Sequence, residues 1–242
     1  MNKFAVVGLS GVAVSIVCLT AAFAIGGKAL RDGNFDFGGW DRPRCDFDSA
    51  GKSASRSVAW DGSDTVKIGI NANVQYRPGS GDDMQVTGDP AVISHVRVED
   101  GNIRLDCRGS YPGARLAITL PGRTFDKFEI GGAAHLTLND LDQPNLKIEM
   151  GGANQITATG KTGDLRLEMG GANHADLGAL VADNARIEMG GANEVDVAAK
   201  DDLSVTIGGA GKVRLHMEPR HLDTHIGGSG EIIHASELDK SP

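Results

Sequence analysis

Aromatic residues are scarce, at 5% of the 242 residues, and no run of Lys or Arg stands out from the acids interleaved with them. With a net charge of −8, the chain lacks the basic stripe that a nucleic-acid-binding protein needs. Cysteine is limited to Cys18, Cys45 and Cys107, which share no metal-ligand spacing. Cys18 lies in an apolar segment. Cys45 and Cys107 are left either as a disulfide pair in an oxidising compartment or as two unrelated thiols. Nucleophile elbows, phosphate-cradling loops and paired-cysteine motifs are absent. Past the first 25 residues no amphipathic helical pattern appears. These absences predict no catalytic, cofactor-binding or metal residues, and no cofactor.

What is abundant is glycine, at 34 residues, and it falls at fixed offsets. Six blocks repeat, centred on Gly131-Gly132, Gly151-Gly152, Gly170-Gly171, Gly190-Gly191, Gly208-Gly209 and Gly227-Gly228. The steps between them are 18 to 20 residues. A fixed period without helical patterning is the mark of a stacked solenoid. In one coil, Leu146, Ile148 and Met150 fall on one face of a strand, and Lys147 and Glu149 on the other. The glycine pair suits a sharp corner, after which alternation resumes at Ile156. A lone coil cannot bury its apolar side. Stacking at about 4.8 Å pairs each strand with those above and below. The prediction is an all-β, single-stranded parallel β-helix with coils of 18–20 residues. The crossover rule makes it right-handed.

Stacking also sets like residues in columns. Asn154, Asn173 and Asn193 follow the corners; they form either a structural amide ladder or a polar binding strip. Glu129, Glu149, Glu168 and Glu188 form an outer column, with Lys127, Lys147, Arg166 and Arg186 beside it. Like charges about 5 Å apart repel by just under 1 kcal/mol in water, so the basic column offsets the acidic one. The pair of columns reads as a self-neutralising lattice, or as a surface for cations or anionic glycans. The histidines are dispersed. His135 and His174 share a column two coils apart, while His216, His221, His225 and His234 lie in the last coils, where a weak metal or pH-sensitive patch competes with unrelated surface histidines.

Along the chain, residues 1–25 read as a signal peptide or membrane anchor. Lys3 precedes an uncharged run from Phe4 to Ile25, long enough to span a bilayer, and Ala22-Phe23-Ala24 fits a cleavage site. Both readings export the remainder. Residues 26–57 read as a linker, 58–236 as the β-helix domain and 237–242 as a charged tail. Short alternating runs between Val58 and Gly122 are separated by turn signals such as Gly88-Asp89-Pro90.

The repeats, with Val74-Gln75-Tyr76, Met84-Gln85-Val86-Thr87-Gly88 and Val98-Glu99-Asp100-Gly101-Asn102-Ile103-Arg104-Leu105 before them, resemble the GIN-domain head of putative auto-transporter adhesins. The resemblance runs from about Ala59 to Ala235. It implies an exported or surface-exposed β-helix involved in adhesion, with no site residues. The chain has no series of alternating ten-residue strands for an outer-membrane barrel, so the transporter part of that name does not carry over. The expected function is a non-enzymatic, periplasmic or cell-envelope module that binds glycan, envelope polymer or envelope protein. It would touch the membrane only through an uncleaved residue 4–25 segment. A self-assembling structural protein is the alternative, and a polysaccharide-active enzyme a lesser one. The even coil steps leave no room for the loops that wall a β-helix enzyme's cleft, although Arg77, Asp82, Asp83, His95 and Arg104 could gather in the irregular region.

Overall fold

The computed structural model describes residues 44–45, 53–108 and 116–234, all within the unit Arg44–Pro242. The expected export segment at 1–25, the tail at 237–242 and most of the 26–57 stretch lie outside them. Among the described residues no helix is long and apolar enough to cross a membrane.

The strands run β1 (Ala54–Val58), β2 (Thr65–Ile68), β3 (Ala72–Tyr76), β4 (Met84–Gly88), β5 (Val96–Glu99), β6 (Asn102–Leu105), β7 (Leu116–Thr119) and β8 (Lys127–Ile130). The coils follow as β9 (His135–Met150), β10 (Gln155–Met169), β11 (Ala172–Met189), β12 (Ala192–Ile207), β13 (Ala210–Leu215), β14 (His221–Ile226) and β15 (Ser229–Ile233). Every pairing from β8 onward is parallel, giving a β-solenoid of about five turns. In register, Lys127, Lys147, Arg166 and Arg186 stack, as do Phe128, Ile148, Leu167 and Ile187. Register shifts after Thr157 and Ala158 mark the bend into the next short segment.

Burial follows the pleat. Ile148 and Ile156, expected inward, are buried, and so are the residues at matching places in the other coils: Leu136, Leu138, Leu167, Leu177, Val195, Val197, Val213 and Leu215. At about 1.5–3 kcal/mol for each fully buried large apolar side chain, these columns supply most of the drive for stacking. At the first coil the core ends in an edge-to-face aromatic cluster: Phe125 lies 5.3 Å from Trp60, 5.7 Å from Tyr76 and 5.8 Å from Phe128.

The glycine pairs divide their labour. Gly152 has φ +90°, and a Cβ there would strike the Gly132 carbonyl of the coil below. Its partner Gly151 has open space around it. Only the second glycine of that corner is required, both by conformation and by the close approach of stacked backbone.

Three features depart from the sequence reading. First, β1 begins at Ala54, inside the stretch read as linker, because its backbone completes a ladder with β4. Second, the region before the coils is not uniformly parallel. β4 runs antiparallel to β1 and β7, and β5 to β6, since tight turns such as Asp100-Gly101 reverse the chain where the coil period has not begun. Third, Pro90–Ile93 forms a short helix, α1, where only a turn was expected. Asp89 caps it by accepting the Ala91 N–H at 2.9 Å, and Pro90 at the first helical position needs no donor partner.

Cys45 and Cys107 are joined in a disulfide, with Cα atoms 5.2 Å apart and a parallel bridge between Arg44 and Arg108 beside them.

Candidate functional site

The asparagine column lies inside the wall rather than on it. Asn154, Asn173 and Asn193 are each buried. Asn154 Oδ1 accepts the Ala134 N–H (2.9 Å), Asn173 Oδ1 the Asn154 N–H (3.0 Å), and Asn193 Oδ1 the Asn173 N–H (3.1 Å). The amide groups link upward: Asn154 Nδ2 donates to Asn173 Oδ1 (3.2 Å) and Asn173 Nδ2 to Asn193 Oδ1 (3.0 Å). Each Nδ2 also donates to the carbonyl of its own corner's first glycine, as Asn173 does to Gly170 at 2.6 Å. The ladder therefore satisfies corner backbone groups that water cannot reach. It offers little to a ligand. It stops at Gly211, where a Cβ would meet the Met189 and Ile207 side chains.

The charged columns form a zigzag. Lys127 pairs with Glu129 of its own coil (2.7 Å) and Glu149 of the next (2.9 Å). Lys147 pairs with Glu149 (2.5 Å) and Glu168 (3.2 Å), and Arg166 with Glu168 (2.6 Å) and Glu188 (3.3 Å). Arg186 closes on Glu188 at 2.7 Å. The strongest influence on the Glu168 carboxyl is its hydrogen bond from Arg166, which lowers the pKa; partial burial opposes this and Lys147 reinforces it. The hydrogen bond to Glu149 is likewise the main cause raising Lys147, with burial opposing and Glu168 adding.

Two grooves run along the stack on either side of this lattice. The first, of about 810 Å³, is lined by Glu129, Glu149, Glu168, Glu188 and the corner backbone at Gly151 and Gly170. The second, of about 570 Å³, has Lys147, Arg166 and Arg186 along one side. It also contains a column that sequence reading missed: Asn145, Asp164, Asn184 and Asp202, stacked in register with His221 above them. Asn184 Nδ2 donates to Asp164 Oδ1 at 2.9 Å. The signal was available, as a polar residue recurs just before each strand's first inward residue, but it resembled loop composition.

The entry-region residues that could have gathered do not. Arg77 pairs with Asp140 (3.6 Å), Asp83 accepts from Ser57 (3.1 Å), and Arg104 pairs with Glu99. His95 meets Asp106 at 2.7 Å, and Arg97 holds the other Asp106 oxygen at 2.6 Å. His95, Asp106 and Cys107 are the one group of three ligand-type side chains close together among the described residues. The sulfur there is committed to the disulfide and the carboxylate to Arg97, a poor arrangement for a cation. Of the late histidines, His216 bonds Asp196 (2.8 Å) and His234 bonds Glu218 (3.0 Å), so they serve separate acids.

Comparison with known proteins adds a family. The profile described as "Putative auto-transporter adhesin, head GIN domain" matches residues 63–219. A crystal structure titled as a putative adhesin from Bacteroides fragilis NCTC 9343 is 17% identical, covers 76% of this chain and 97% of its own, and superposes with a TM-score of 0.58. One titled as a putative lipid binding protein from Parabacteroides distasonis ATCC 8503 is 15% identical, covering 77% of this chain and 98% of its own at a TM-score of 0.48. At such identities the first of these shows the fold alone. No curated protein matches the chain.

Proposed function

Because this chain belongs to the GIN-domain head family of putative auto-transporter adhesins, we propose that it is an exported, non-enzymatic module of the cell envelope. In this reading it holds a hydroxyl-rich polymer, a glycan, lengthwise in the groove beside the Asn145–Asp202 column. The observation that supports it most is the pairing of two registers across one groove. Asn145, Asp164 and Asn184 repeat once per rung on one side with Lys147, Arg166 and Arg186 on the other, and on the next rung Asp202 stands beside Ser204. A guanidinium has five donors; Glu168 and Glu188 take two from Arg166 and one from Arg186. Donors thus remain for hydroxyl oxygens, while Asp164 and Asp202 supply acceptors. A repeating ligand gains a contact at each rung, so modest single contacts sum to useful affinity. The chemistry at hand is that of binding: the acids seen in pairs are already tied to bases.

The test is co-sedimentation of the purified full chain with insoluble glycans, namely chitin, cellulose and isolated peptidoglycan. Binding to at least one is expected, weakened tenfold or more by Asp164→Ala with Asn184→Ala, and unchanged by Glu149→Gln on the other groove. The assay also reads released reducing ends, which should stay at background. Absence of binding to all three, equal binding by the double variant, or glycan cleavage would overturn the proposal.

A further inference from the structure

The solenoid's two ends differ. At the first coil, β4 and β1 on one side and β5 on another run antiparallel to their neighbours. Arg56 Nη1 there donates to the carbonyls of Ile93 (3.0 Å) and Ser94 (3.1 Å), tying α1 across that end. At the far end, among the described residues, β14 pairs only with β12 and β15 only with β13, so within them each presents an open ladder edge. The inward columns continue onto this last rung: Leu203 to Leu222, Val205 to Thr224 and Ile207 to Ile226. Ile226 is 43% exposed, the one large apolar residue so exposed among the described residues.

We infer that the β14 edge is a two-fold interface with a second copy of this chain, formed by antiparallel pairing of β14 on β14. The register is fixed by parity. Directly opposed residues in an antiparallel pair point to the same face, so inward residues must meet inward ones and the two-fold must fall on a residue. Centring on Asp223 would set that carboxylate against its own copy and Leu222 against Thr224. Centring on Thr224 sets Leu222 against Ile226 of the second copy and Asp223 against His225 of the second copy, each twice by symmetry. That register covers exposed Ile226 with the half-buried Leu222 of the second copy and matches a carboxylate with an imidazole donor. Such a contact is isologous and closes at two copies, so it makes dimers and no filament.

Sedimentation velocity of the full chain over a concentration series tests this, in a Cys18→Ser background. A monomer–dimer equilibrium is expected. Asp223→His and His225→Asp should each weaken it at least tenfold by opposing like groups, and the two together should restore it. Urea midpoints of the singles, taken at a concentration where the parent is monomeric, should match the parent, since both sites are on the surface of an end rung. Thr224→Cys should oxidise to a covalent dimer, because opposed Cα atoms about 4.5–5.5 Å apart fall within disulfide reach; Thr206→Cys, one rung inside, should not. Monomer at every concentration, association indifferent to the two substitutions, or dimerisation only after removal of residues 235–242 would overturn the inference. The last outcome would make that segment the rung's occupant.

Discussion

Replacing Asn173 by alanine puts the ladder to a quantitative test. The substitution removes the acceptor of the Asn154 N–H (3.0 Å) and the donor to the Gly170 carbonyl (2.6 Å). The other partners keep a bond each: Asn154 Nδ2 still reaches Gly151, and Asn193 Oδ1 still accepts the Asn173 N–H. The cost is therefore set mainly by one buried backbone donor left unmade. Such a group costs about 1–3 kcal/mol, and the lost carbonyl partner at the more open glycine corner about 1 kcal/mol more. A loss of roughly 3 kcal/mol is expected, a large part of the 5–15 kcal/mol typical of a folded domain. Urea unfolding followed by far-ultraviolet circular dichroism gives the measurement, with the m-value checked because solenoids can lose cooperativity. Asn184→Ala is the control. Its amide also bonds the coil below, to Asp164 at 2.9 Å, but on the exposed surface, so its loss should cost under about 1 kcal/mol. If both variants lose the same small amount, the Asn173 column is solvated or rearranges freely, and the account of the corners is wrong.

The corner itself predicts an asymmetry: Gly152→Ala should destabilise by at least about 1–2 kcal/mol through its positive φ and the Gly132 carbonyl beneath it, whereas Gly151→Ala should be neutral within about 0.5 kcal/mol. Equal thermal midpoints for the two would refute it. Acid should erode the charge lattice. The Glu168 pKa is lowered in the fold from a usual 4.5, so its stabilising contribution is complete above that value and disappears as pH falls through the folded-state pKa. Urea midpoints taken from pH 7 down to pH 3 should fall less steeply below pH 4.5 in Glu168→Gln than in the parent. The effect should be modest, because these side chains are partly in water, and an identical slope would show that the lattice does not couple to folding.

Much of this molecule can be derived from its sequence because the repeat is covalently local. Alternation of Leu146, Ile148 and Met150 with Lys147 and Glu149 fixes which face is inward, and the glycine spacing fixes which residues stack. Columns follow without any knowledge of long-range pairing: the Lys–Glu zigzag and the Asn column stand where the period puts them. Tertiary structure decided matters that the period cannot encode. Whether Asn173 faced solvent or the corner backbone depended on the way the chain turns at Gly170-Gly171, and in the fold its amide is bonded to the Gly170 carbonyl. The antiparallel entry strands depend on pairings between segments far apart in sequence, such as Ala54 with Gly88, where no repeat supplies a register. The Asn145–Asp202 groove and the exposed Ile226 of the last described rung are likewise products of stacking. A polar residue before each strand and an isoleucine in a seemingly inward place look ordinary in sequence, and acquire meaning only from what lies, or does not lie, one rung away.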